Sequence, residues 1–159
     1  MRMSYLWMGG AALLTLSVCR PLQAAPNLKV GSVTAKAGET ITVPISVDPG
    51  ASAIASLQFD LTLPAGLSTG TVTADPALSS SGKTVSAVLH DKDWRFIIFG
   101  VNQAPFAKGS LLTAQLTIAP GTAPGVLPLR VSHVVYSDAK GASIAPGKNA
   151  SGKITVKKP

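Results

Sequence analysis

The chain has 159 residues, of which 13% are charged and 5% aromatic, and its 14 basic and 7 acidic side chains give a formal net charge of +7. That length holds one domain with a real core. A composition led by Ser, Thr, Gly, Ala and Val fits a secreted β-sandwich rather than a cytosolic α/β enzyme. The positive charges are scattered singly along the chain (Lys29, Lys36, Lys83, Lys108, Lys140, Lys153), with only Lys157-Lys158 adjacent, and the clustered run expected of a nucleic-acid binder is missing.

Residues 1–25 read as a secretory signal peptide: Arg2 gives a thin positive start, Leu6 to Val18 is apolar, and Leu22-Gln23-Ala24-Ala25 offers small residues for cleavage. The apolar run is short for a ~30 Å hydrocarbon core; the alternative is an uncleaved N-terminal anchor. The single cysteine, Cys19, follows Val18, a poor context for lipidation. Contact with a membrane is therefore expected only through an uncleaved or lipidated leader. Losing Arg2 and Arg20 takes the 14 basic residues to 12 against 7 acidic, a net charge of +5. The mature chain then has no thiol and no disulfide.

From Leu28 onward, short strands follow one another without a helical period. Leu28–Thr34 is the first. In the second, Thr40–Val47, Ile41, Val43, Ile45 and Val47 alternate with Thr42, Pro44 and Ser46, the period of a half-buried strand. Pro44 cannot donate to a ladder, which predicts a sheet-edge strand. Ala37 to Thr40 and Asp48-Pro49-Gly50 are the turns on either side. In Ala53–Leu63 the residues Ala55, Leu57, Phe59, Leu61 and Leu63 share one face, and Ser56, Gln58, Asp60 and Thr62 share the other. Further strands are predicted at Thr71–Ala74, Thr84–His90, Trp94–Val101, Leu111–Ile118, Val126–Tyr136, Ser143–Ile144 and Gly152–Val156. Asp91-Lys92 reads as a tight hairpin turn, and Ala77 to Gly82 as the loosest loop. Strands at this spacing, parted by Pro and Gly turns, predict a sandwich or barrel.

Phe96-Ile97-Ile98-Phe99 breaks the alternation, because both faces of that strand are apolar. In a two-layer sandwich only one face enters the core. The other is either covered by a loop or exposed as a patch of the kind that marks an interaction surface.

Catalytic signatures are missing. The sequence has no HExxH, no glycine-rich phosphate loop and no GxSxG. His90 and His133 belong to different strands. His90 reads as the start of a hairpin turn and His133 as a residue at the core margin or surface. Asp91 and Asp93 flank the hairpin turn and are the candidate ligands for a calcium ion, though such a site wants more oxygens than two carboxylates supply; the plainer reading is that they bond their own turn backbone. Neither metal nor cofactor is expected otherwise. Trp94 and Tyr136 are the only Trp and Tyr after residue 25. They are the candidates for stacking on sugar rings, too few for a flat platform of several coplanar rings.

The phrases AKAGETITVPISV and IASLQFDLTLPAGL, followed by RFIIFGVN (95–102) and GSLLTAQLTIAPGTAPGVLPLRVSHVVYSDAKG (109–141), resemble a cohesin module in order and spacing. The likeness covers nearly all of residues 27 to 157 and is greatest to free-standing cohesin-like proteins of non-cellulosomal bacteria. It implies an all-β antiparallel jelly-roll sandwich of about nine strands over residues 26–159, similar in fold to some carbohydrate-binding modules. It further implies a non-catalytic module at the cell surface, in the periplasm or in the bacterial surroundings, docking an extracellular dockerin-like protein and linked to polysaccharide breakdown. The strand matching Ile54–Leu63 often carries an outward Asn and Asp in cellulosomal cohesins; here those places are Ser56 and Gln58, and the family's Tyr-Asp-Pro ending is reduced to Leu63-Pro64. The expected interface is Ser56, Gln58, Asp60, Ile97 and Phe99. The alternative is direct polysaccharide binding through Trp94 and Tyr136.

Overall fold

The computed structural model describes residues 24–158. Residues 1–23, which hold Cys19 and nearly all of the segment expected to be a signal peptide, and Pro159 lie outside them. In chain order the elements are β1 (Asn27–Val30), β2 (Val33–Lys36), β3 (Thr40–Asp48), β4 (Ser56–Thr62), β5 (Leu67–Ala74), α1 (Pro76–Ser80), β6 (Lys83–His90), β7 (Asp93–Gly100), β8 (Gly109–Ile118), β9 (Gly125–Ser137), β10 (Ser143–Ile144) and β11 (Gly152–Lys157). They build a sandwich. One sheet has the order β1-β3-β8-β5; the other runs β2-β11-β9-β4-β7-β6, with the short β10 also paired to β9.

The alternating residues fill the space between the sheets. Val43, Ile45, Leu112, Ala114, Leu116 and Ile118 come from the smaller sheet, and Leu57, Phe59, Leu61, Trp94, Phe96 and Ile98 from the larger. Phe59 and Phe96 are register partners on β4 and β7. Their rings stack at 4.8 Å and 9°, and Trp94 tilts against Phe96 at 4.9 Å and 50°. Burying one such side chain contributes about 1.5–3 kcal/mol, so this aromatic cluster is a main anchor of the fold.

Three local expectations are corrected. First, the single strand expected over Leu28–Thr34 is two. The chain leaves the smaller sheet after Val30 and joins the larger at Val33, where β2 runs parallel to β11. Second, Pro44 is not on an edge strand: β3 lies between β1 and β8. Pro44 is tolerated because β1 pairs β3 only from Ile45 to Asp48, so its ring meets no continuing ladder on that side. The adjoining residue is Gly31, whose N–H donates to the Pro44 carbonyl at 2.8 Å. A Cβ on Gly31 would come within 2.6 Å of the proline ring. Third, the loose loop at Ala77–Gly82 begins inside a helix. Asp75 caps α1 by accepting from the Ala77 N–H at 2.9 Å, Pro76 starts it, and Leu78 buries its side chain. An Asp followed by Pro is the ordinary signature of a helix start, and it was there to be read. The Asp91-Lys92 hairpin turn is as expected, with Asp91 at φ 56°.

Candidate functional site

β9, β4, β7 and β6 lie side by side, and their outward side chains form one continuous face. Burial of Trp94, Phe96 and Ile98 turns Arg95, Ile97 and Phe99 outward, which settles the orientation of the doubly apolar strand. Among the described residues no loop covers it: Ile97 is 37% and Phe99 46% exposed. Gln58 on β4 is register partner to Ile97 on one side and to Val135 on the other, and Val135 is 44% exposed. A row Ser86–Ile97–Gln58–Val135 thus crosses four strands, with Phe99 beside it opposite Thr84. Ser56 and Gln58 are half-buried, each with a polar group at the surface of an apolar patch. Val135 was missed as a member of this row because strand register cannot be read from β9 alone.

Asp60 needs correction. It lies on the outward side, as expected, but is only 1% exposed and offers no free carboxylate to a partner. Arg95, its register partner, covers it with two bonds: Nε donates to Oδ1 at 2.7 Å and Nη2 to Oδ2 at 2.7 Å. His133 Nδ1 lies 3.2 Å from Oδ2 on the other flank. His133 reaches Asp60 because β9 bulges there. The register shifts between Gln58 and Asp60, and His133 takes φ 48°. The Arg95 hydrogen bonds hold the Asp60 carboxyl below its ordinary range, against burial, which pushes the other way. Asp60 in turn raises Arg95.

A depressed folded-state value means that the unfolded chain binds the proton more readily. The resulting stability is present above the unfolded value near 3.8 and is lost as pH falls through the folded one. Denaturant midpoints measured from pH 6 down to pH 2 should therefore fall less steeply at the acid end for Asp60→Asn than for the parent. Asp48, also depressed and paired with Lys108 at 2.7 Å, keeps part of the slope in both. Identical acid slopes would show that the Asp60 cluster adds no pH-dependent stability.

The Cohesin domain family model matches residues 26–156. The chain belongs to the cohesin family. A non-cellulosomal cohesin from the hyperthermophilic archaeon Archaeoglobus fulgidus is similar to it with a TM-score of 0.72 and 18% identity, over 85% of this chain and 93% of that one. A type I cohesin–dockerin complex from Clostridium thermocellum matches with a TM-score of 0.72 and 18% identity, over 84% of this chain and 100% of that one. The seventh ScaB type I cohesin from Pseudobacteroides cellulosolvens gives 0.71 and 22%, over 85% and 94%. At such identities the likeness speaks for the fold. No curated protein matches the chain.

The two aromatic residues that could have stacked on sugar are part of this cohesin domain's interior, which corrects the alternative site. Trp94 is 4% exposed and packs on Phe96; Tyr136 is 0% exposed. The Tyr136 hydroxyl donates to Asn149 Oδ1 at 2.8 Å, and burial raises its ionisation well above the usual phenol range. The two aspartates considered for calcium are engaged singly. Asp93 Oδ1 accepts from the Thr62 hydroxyl at 2.6 Å, and Asp91 Oδ2 lies 3.5 Å from His90. Among the described residues no three His, Cys, Asp or Glu side chains gather as metal ligands.

Lys83 was not singled out in the sequence, and no local signal marks it. It is buried, its Nζ donates to the Ala55 carbonyl at 2.9 Å and to the Asn102 carbonyl at 3.3 Å, and it lies 5.5 Å from the Phe106 ring centre. Desolvation lowers its pKa. These bonds tie the start of β4 to the chain after β7, which steadies the edge of the exposed face.

Proposed function

We propose that this cohesin domain is a non-catalytic, exported binding module that docks a dockerin-like extracellular protein through the outer face of β9-β4-β7-β6. The row Ile97–Gln58–Val135 with Phe99 carries the reading. Large apolar side chains, exposed together and interleaved with hydrogen-bonding groups on one sheet face, are the makeup of an interface centre. Structures of similar fold include cohesins in complex with dockerins, which supports the class of partner. Ser56 and Gln58 offer neutral hydrogen bonds where cellulosomal relatives offer a carboxylate. Asp60, buried and paired with Arg95, adds none back, so recognition here rests on shape and apolar contact. Through such a partner the module serves polysaccharide breakdown outside the cell.

The test is calorimetric titration of the exported protein with each dockerin module encoded in the same genome. One partner should saturate it at one site. Failure of every dockerin to give a saturating isotherm would contradict the reading.

A further inference from the structure

The basic residues that stand apart in the sequence are gathered by the other half of the larger sheet. On β11, Gly152, Ile154 and Val156 are buried, so Lys153, Thr155 and Lys157 face outward. On β2, Thr34 and Lys36 face the same way, and Lys36 is the direct register partner of Lys157. On β9, Pro128 lies opposite Lys153, and Arg130 follows two residues later on the same exposed side. Lys36, Lys157, Lys153 and Arg130 thus form a line on the order of 20 Å long, at roughly 3.3 Å per residue along a strand and 4.8 Å between strands.

Among the described residues none of the four has a carboxylate within 4.0 Å; the ion pairs there involve His90, Arg95, Lys108 and His133. Glu39, close by in the chain, accepts from the Lys36 backbone N–H at 2.8 Å. Like charges directly opposite on neighbouring strands destabilise a sheet, and Lys36 with Lys157 is such a pair. The same two lysines flank a cleft of about 430 Å³ whose far wall is the Pro120–Pro124 loop. That volume lies within the range of small-ligand sites.

We propose that this half-face binds an anionic polysaccharide bearing carboxylates on successive sugars. One acidic sugar enters the cleft between Lys36 and Lys157, and the chain continues over Lys153 toward Arg130. The surface fits this polyanion better than others. Among the described residues it has no aromatic ring to stack a nucleic-acid base, and Val126 is the one large apolar side chain exposed on it to enter a lipid surface. Charge recognition needs neither Trp94 nor Tyr136. The site lies beside the Ile97–Phe99 patch, not on it, and does not depend on the docking of a protein there.

Affinity electrophoresis of the full chain through gels containing polygalacturonate tests the proposal, with fully esterified pectin as the neutral control. Polygalacturonate should retard the protein at low salt and esterified pectin should not. Lys153→Glu with Lys157→Glu should weaken retardation roughly tenfold, as losing two exposed ion pairs requires. Lys92→Glu with Lys140→Glu, which makes the same change in net charge elsewhere, should leave it unchanged. Lys36→Gln with Lys157→Gln should weaken it too, without reversing any charge. Equal losses for the two glutamate doubles would show that only net charge is read and would overturn the site. Tighter binding to duplex DNA, or to vesicles of phosphatidylglycerol and phosphatidylcholine, than to polygalacturonate at equal charge concentration would overturn the choice of ligand.

Discussion

Phe96→Ala should lower stability by about 3–5 kcal/mol, the usual result of removing a fully buried aromatic ring, and the melting temperature by about 10–20 °C. The ring is fully buried, stacks on Phe59 and supports Trp94. One truncation therefore opens a cavity and breaks two aromatic contacts, each worth about 0.5–1.5 kcal/mol beyond area burial. Thermal unfolding followed by near-UV circular dichroism reads the effect. A drop of under about 1 kcal/mol would mean that the sandwich repacks around the loss and that the aromatic cluster is not its anchor.

The neighbouring residues on the same strand should behave in the opposite way. Ile97→Asp and Phe99→Asp should each cost about 2 kcal/mol or more in affinity for the docked partner while changing stability by under about 1 kcal/mol. The reason is orientation alone. Residues 96 and 98 face the core and residues 97 and 99 face water, so a charge at 97 or 99 stays solvated in the free protein and is desolvated only on docking. Titration and melting of the same preparations separate the two effects. If both substitutions melt the domain as severely as Phe96→Ala, that face is core; if both bind normally, it is not the interface.

That contrast also marks how far the sequence could be read. The strands, the Asp91-Lys92 turn and the failure of alternation at Phe96–Phe99 were legible because each depends on a few consecutive residues. Which face of that strand was open depended on whether another segment covers it, a fact about distant chain. Pro44 shows the same limit from the other side. A proline in a strand signals a missing ladder bond, but whether the strand ends its sheet or its neighbour merely stops short is decided by where β1 turns away. Asp60 sits correctly in the outward set by period, yet its cover comes from Arg95, 35 residues on, and from a bulge at His133 that no alternation pattern announces. Trp94 and Tyr136 were considered for sugar because exposed rings stack on sugars. Their burial follows from facing inward on β7 and β9, where the sandwich needs large side chains. The lysine line was invisible for a related reason: Lys36 and Lys157 are 121 positions apart and become neighbours only through the parallel pairing of β2 with β11.

The docking face is the central claim, and methyl resonances report on it directly. The protein would be labelled at isoleucine and valine methyls and titrated with the dockerin that saturates it. Ile97 and Val135, exposed on the outer face, should shift or broaden together with Val88, which is exposed on β6 opposite Arg95, while Val43 and Ile45 in the smaller sheet keep their positions. Perturbation confined to methyls of the β1-β3-β8-β5 sheet, with Ile97 and Val135 unmoved, would place the partner elsewhere and contradict the account.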